Sequence, residues 1–349
     1  MKQVLLHIGT GKTGSSSIQK TLSRNRDLLN KMNISYPRYG HPTNHEELNI
    51  PIKGDKGPRA IRERFKRDSE NFEEYRQRLL REFIQHIGNN SNSIISAEHL
   101  YTLKPERIAF LKQQFSACGV DRVKVILYLR EPVSLYKSQL QQKLKASSQT
   151  ITPGTWKYRF VSVVERWMNS FKDVEVREFN REQLHNQDVV DDFLHIASQF
   201  FDHAQLLNIK RTKAANESYS LEEMYLLQQF RKTLFSDHED VFMPASGALM
   251  RNFSVLASRD SLTQATLKDD VAENIRYKTT EEVKKLRELL GEHFFTNFET
   301  VTEKPNGNFE HVSSVSALFK NAKDIEHKTL KLAIRILEKN LLQSPKDSL

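Results

Sequence analysis

The chain has 349 residues, with 53 lysines and arginines against 44 acidic residues and a net charge of +9. That balance, with a pI near 9.4, favours an anionic partner such as a nucleotide, an acidic glycan or a lipid surface. Cys118 is the single cysteine, which excludes an internal disulfide and a cysteine metal cluster, and no apolar run reaches the ~18 residues of a membrane span.

Val4, Leu5, Leu6 and Ile8 form a short apolar run bounded by glycine, the pattern of a buried parallel strand. This strand starts almost at Met1, which leaves no room before it for a signal peptide and makes a cytoplasmic location the expectation. Gly9, Gly11 and Gly14 then supply a tight turn. Ser15, Ser16 and Ser17 open a helix whose apolar positions are Ile18, Leu22, Leu28 and Leu29. A strand, a glycine turn and a hydroxyl-rich helix start together form an anion cradle, because backbone N–H groups and the helix dipole point at one spot. Lys12 adds a full charge inside the turn.

The turn is neither of two familiar phosphate loops. A Walker A loop needs Lys directly after its last glycine, where this chain has Ser15. Gly9, Gly11 and Gly14 match the dinucleotide fingerprint by letter, but no acidic residue ends a second strand about twenty residues on. An ordinary strand-to-helix turn with a surface lysine is the plain alternative.

Farther along, Asn33 to Pro37 reads as a second strand stopped by proline, followed by a long loop over 37–59 holding His41, His45, Glu46 and Glu47. Asn71 to His86 is an amphipathic helix. Ser93 to Ala97 is a third strand with Glu98 and His99 just past its end, where parallel sheets bind ligands. A helix over Pro105 to Cys118 precedes the strand Arg122 to Leu129, which runs into Arg130-Glu131-Pro132 and a helix from Val133 to Lys145. Thr155 to Phe171 reads as a helix holding Trp156 and Trp167, and Val174 to Phe179 as a fifth strand. Helices are expected over Asp188 to Phe201, from an opening over Asn216 to Leu221 through Leu234, over 265–295 and over 325–342. The last carries Leu330, Leu332, Ala333, Ile336 and Leu337 as one stripe, whose expected use is core packing, with another subunit or a membrane surface as the other options. Residues 236 to 260 lack periodicity. Strands alternating with helices imply an α/β chain, a parallel sheet with helices on both faces.

Arg130 at a strand end, with Ser134 and Ser138 at i, i+4 on the next helix, makes a second candidate anion pocket. Two anion sites on one sheet suit a nucleotide phosphorylated at both ends. Here the chain resembles the sulfotransferases that use 3′-phosphoadenosine 5′-phosphosulfate (PAPS). Lys12-Thr13-Gly14-Ser15-Ser16 is similar to that family's 5′-phosphosulfate loop, and Leu129-Arg130-Glu131-Pro132 with Ser138 to its 3′-phosphate motif. His7-Ile8-Gly9 and Asn216-x-Ser218-x-Ser220-Leu221 resemble bacterial-type, glycan-modifying members. The likeness covers roughly residues 1 to 235.

The resemblance implies a P-loop-like PAPS-binding core over 1–235 and a helical extension over 236–349 packed on the same domain. It implies sulfonate transfer to a hydroxyl of a carbohydrate or glycolipid acceptor, with no metal. Gly11, Lys12, Thr13, Gly14, Ser15, Ser16 and Ser17 would hold the 5′ end, and Arg130 and Ser138 the 3′-phosphate. Two departures stand out: Ser15 and Ser16 replace the usual threonines, and no C-terminal Lys-Gly cofactor motif is present, which favours a sugar over a phenol or steroid acceptor. The general base is expected first at His45, then at Glu98, with Glu46, His41 and His99 behind. A P-loop kinase-like phosphotransferase and a non-catalytic module for anionic glycans are the alternatives. Nucleic acid is not expected, because the cations are scattered and no nucleic-acid-binding signature occurs.

Overall fold

A computed structural model describes residues 1–54, 65, 71–211, 218–253 and 262–342. In chain order its elements begin with β1 (Gln3–His7), α1 (Ser15–Arg24), α2 (Arg26–Lys31), β2 (Ile34–Ser35), α3 (Asn49–Lys53), α4 (Phe72–Asn89) and β3 (Asn92–Ser96). Next come α5 (Pro105–Ala117), β4 (Arg122–Leu129), α6 (Pro132–Leu144), α7 (Val161–Ser170), β5 (Asp173–Glu178) and α8 (Val189–Phe201). The remainder is helical: α9 (Leu221–Leu234), α10 (Pro244–Phe253), α11 (Asp269–Leu290), α12 (Val315–Leu318) and α13 (Ile325–Leu342).

The five strands form one parallel sheet in the order β2-β3-β1-β4-β5. β1 lies at its centre and is buried at every position, so both of its faces are covered, as an all-parallel sheet requires. The chain leaves β1 towards the β2–β3 side and later enters β4 on the other side. The β1/β4 pair is therefore the switch point, and the crevice outside its carboxyl ends is where such sheets hold ligands. Leu5, Ile126 and Tyr128 of the sheet pack against Ile18 and Leu22 of α1, Leu29 of α2, and Phe193 and Ala197 of α8. Burying each such aliphatic or aromatic side chain contributes ~1.5–3 kcal/mol. Within this layer Asp192 is fully buried. It accepts from the Arg177 guanidinium, from the Tyr128 hydroxyl at 2.8 Å and from the His185 N–H at 2.9 Å, which ties α8 to β4 and β5.

The chain forms two compact units. One holds residues 1–131, 159–215 and 285–295; the other holds 132–158, 216–284 and 296–349. In the second, α9 opens with a reciprocal capping box: Ser220 Oγ accepts from Glu223 N–H at 3.1 Å, and Glu223 accepts from Ser220 N–H at 2.7 Å. Arg231 is fully buried and spends its guanidinium on the carbonyls of Ala146, His238 and Val241. Leu332 and Ile336 of α13 pack on Phe253 of α10.

Several elements differ from the sequence expectation for local reasons. The first helix breaks at Asn25, whose side chain donates to the Thr21 carbonyl at 2.8 Å and so competes with the helix ladder. β2 has only two residues, since Pro37 has no N–H to extend the pairing. Thr155 and Trp156 turn onto the Thr152 carbonyl and α7 begins only at Val161, so Trp156 and Trp167 do not share a helix. The aperiodic stretch after 236 contains α10, opened by Pro244 in its first turn. Asn216 and residues 55–59 of the long loop lie outside the described residues.

Candidate functional site

The loop from Gly9 to Gly14 joins the central strand to α1. Gly9 has φ +113°, and a Cβ there would lie 2.3 Å from the Glu98 carbonyl oxygen. Gly14 has φ +78°, and a Cβ there would meet Val189 at 2.5 Å. Glycine is required at both for space as well as for backbone conformation. The loop folds around the Thr10 carbonyl, which accepts from Thr13 Oγ1 at 2.6 Å and Ser15 Oγ at 3.0 Å. Both of those side chains are buried, so Thr13 and Ser15 offer a ligand only their backbone N–H, whereas Ser16 is exposed and Ser17 half-buried.

No side chain caps the start of α1. Among the described residues no backbone carbonyl accepts from the N–H groups of Thr13, Gly14, Ser15 or Ser16. A helix of ten residues thus presents its positive end with its first donors uncommitted. Lys12 sits at φ +70°, unusual for a residue with a side chain. Its carbonyl accepts from Arg130 Nη1 at 3.1 Å, so the strand end at β4 holds the loop that follows β1. The Arg130 guanidinium lies over the Phe179 ring at 5.4 Å, and burial lowers its pKa. The two cationic motifs of the sequence meet at the switch point. Ser138, expected beside Arg130, lies half-buried on α6 in the second unit.

Glu98 follows β3 and is half-buried beside this loop, its carboxylate 3.6 Å from where a Gly11 Cβ would stand. Burial, reinforced by the negative charge of Glu46, raises its pKa; His99, Lys12 and a hydrogen bond from Ser15 pull the other way. Glu46 bridges the neighbouring segments: it accepts from the Glu98 N–H and pairs with His99 Nδ1 at 2.7 Å, which raises the His99 pKa. The charge of Glu46 next to Glu98 was not evident from sequence, where only the Glu46-Glu47 pair in the loop signalled it.

His45 does not join the site as an accessible base. It is fully buried; its Nδ1 accepts from Ser96 N–H at 3.0 Å and its Nε2 donates to the Pro37 carbonyl at 2.9 Å. Both nitrogens are committed, the ring is neutral, and burial takes its pKa down to about 3. The histidine is a clamp between the β2 loop and β3. His41 is exposed and accepts from the Thr43 N–H within its own turn. Among the described residues no group of three or more His, Cys, Asp or Glu is arranged to hold a metal, and no helix is long and apolar enough to cross a membrane.

No family model, curated protein or solved structure matches the chain.

Proposed function

We propose that the protein is a PAPS-dependent sulfotransferase acting on a carbohydrate or glycolipid hydroxyl, with a P-loop-like cradle formed by residues 9–17. The observation that carries this reading is the uncapped N-terminus of α1 with Lys12 and Arg130 at one end of the sheet and a carboxylate of raised pKa beside them. The cradle fits a 5′-phosphosulfate: Thr13, Gly14, Ser15 and Ser16 supply backbone donors, and Ser16 and Ser17 supply hydroxyls. Lys12 neutralises charge on the bridging oxygen as its bond to sulfur breaks. Arg130 serves the nucleotide's far phosphate.

The acceptor oxygen must lose its proton as it bonds to sulfur. Glu98 takes that proton, because it is the half-buried carboxylate beside the cradle, whereas His45 has no lone pair to offer. A raised pKa makes Glu98 a stronger base than an ordinary carboxylate. Lysine, arginine and the helix dipole supply positive charge without a metal ion.

Calorimetric titration of the purified protein with adenosine 3′,5′-bisphosphate, 5′-AMP and ATP tests the reading. Binding of the bisphosphate well above both others, with sulfonate transfer from PAPS persisting in EDTA, is the expected result. Preference for ATP with strict dependence on Mg²⁺ would transfer the site to a kinase-like enzyme.

A further inference from the structure

A cavity of about 100 Å³ opens on the first unit, where the start of α8 meets the turn Ala204–Asn208 and the chain after it. Its walls are His185, Asn186, Asp191, Leu194, Leu207 and Arg211. None of these belongs to the loop after β1 or to the strand end at Arg130. Asp191, on the first turn of α8, is only 6% exposed and takes two donors on one oxygen. Asn186 Nδ2, at 3.0 Å, and the Arg211 guanidinium both reach its Oδ2; among the described residues Oδ1 accepts from none. Asn186 and Gln187 follow each other at φ +52° and +58°, a left-handed turn of which Asn is more tolerant than most residues. The His185 ring stacks on His195 at 4.1 Å and 9°, and His195 lies outside the cavity lining, so it backs the ring and fixes its orientation. A polar cluster and a braced ring thus share one small cavity with two leucines, of which Leu194 is buried and Leu207 is 49% exposed.

The chemistry of this lining selects its occupant. Asp191 and Arg211 form an ion pair whose charges cancel, so an anion would meet the carboxylate and a metal ion the guanidinium. An amino-acid zwitterion would have to part the two, and parting a buried pair is costly. A neutral compound with neighbouring hydroxyls leaves the pair intact. One hydroxyl donates to Asp191 Oδ1, and the next accepts from a remaining guanidinium N–H. The C–H surface of such a ligand covers Leu194, Leu207 and the His185 ring, the mix of apolar wall and few polar groups that small-molecule sites use. We propose that this cavity binds one pyranose ring of a neutral sugar. Asp191 and Arg211 read a pair of adjacent hydroxyls, Asn186 holds the carboxylate in place, and the leucines and His185 take the C–H face. The inference does not depend on the sulfotransferase reading.

NMR titration of the full-length protein, carrying isotope-labelled histidine, with the methyl glycosides of galactose, mannose and N-acetylglucosamine tests it. The His185 and His195 ring signals, assigned from His185→Gln and His195→Gln, should shift saturably with at least one glycoside. The expected Kd is millimolar, as suits the few contacts of a single sugar ring. Inorganic phosphate and leucine should leave both signals in place. Asp191→Asn should weaken binding at least about tenfold, the loss of one hydrogen bond to a charged group. Leu207→Trp, at a half-exposed position, should fill the cavity and abolish the response with the melting temperature unchanged. This second variant keeps the test decisive if Asp191→Asn loosens the fold. No shift with any glycoside, a shift that survives Leu207→Trp or is unaltered by Asp191→Asn, or a response to phosphate or leucine instead would overturn the proposal. A glycoside that moves the His99 signal beside Glu98 and leaves His185 unmoved would also overturn it, while the sulfotransferase reading would stand.

Discussion

Between pH 7 and pH 5 the fold should lose about 4 kcal/mol of stability through His7 and His45. Both are fully buried, and burial lowers each pKa from 6.5 to about 3. The unfolded chain therefore binds a proton at each position below pH 6.5, while the folded chain does not until pH approaches 3. Protons favour the unfolded state in that window, so stability falls as the pH falls. At pH 5 the cost is about 2 kcal/mol per histidine, and it grows to about 4 kcal/mol near pH 3. His86, lowered to about 4, acts in the same sense; His99, raised by Glu46, acts in the opposite sense but is largely exposed and counts for less. Against a typical stability of ~5–15 kcal/mol this loss is large. Urea unfolding at a series of pH values measures it. His7→Leu is the informative variant, because His7 Nε2 has no partner in the described structure and Ser96 Oγ retains Gln19. That substitution should remove about half of the loss between pH 7 and pH 5. An unchanged pH slope in His7→Leu, or a wild type whose stability is flat across this range, refutes the buried-neutral assignment.

Three further outcomes bear on the site. Lys12→Ala should lower sulfonate transfer by a few hundredfold, the loss of ~3–4 kcal/mol of charge stabilisation, with little change in melting temperature; activity within threefold of wild type would remove Lys12 from the mechanism. Glu98→Gln should cost ~10²–10⁴-fold in the chemical step while nucleotide affinity hardly changes; in Glu46→Gln the acid limb of the rate profile should move to lower pH, since a like charge that raises the Glu98 pKa is gone, and a limb that stays in place would exclude Glu98 as its origin. Gly14→Ala should destabilise by roughly 2–4 kcal/mol from the left-handed backbone and the close approach of Val189, as measured by urea unfolding, and Val189→Ala in the same chain should recover the steric share.

The strand, glycine turn and helix start over residues 3–24 were legible in sequence because they are local. The apolar run, the glycines and the hydroxyl-rich helix start are contiguous, and each has one physical use. The sheet strands were legible for the same reason. What sequence could not give was the partner of each polar side chain. His45 in a polar loop has the composition of a catalytic residue, and only the Ser96 N–H and the Pro37 carbonyl reveal that both nitrogens are taken. Thr13 and Ser15 look like ligand hydroxyls, yet both are turned onto Thr10. The stripe on α13 was read as one face because Leu330 and Leu337 are as apolar as Leu332 and Ile336; exposure separates them. The division into two units was hidden because the chain passes between them without a glycine- or proline-rich linker.

Ser96 uses every polar atom it has. Its N–H and carbonyl bind His45, its carbonyl also takes Gln19, and its hydroxyl meets both His7 and Gln19. One residue thus fastens the central strand, the first helix and the loop after β2 to the strand that carries Glu98. For anyone exchanging that loop, the graft has a fixed footing. Position 45 must keep an acceptor for the Ser96 N–H, and position 46 a carboxylate for the Glu98 N–H. Tyr39, whose ring packs against His45, and Asn44, whose Oδ1 accepts from the Glu46 N–H at 3.2 Å, belong to the same footing and should be kept with it.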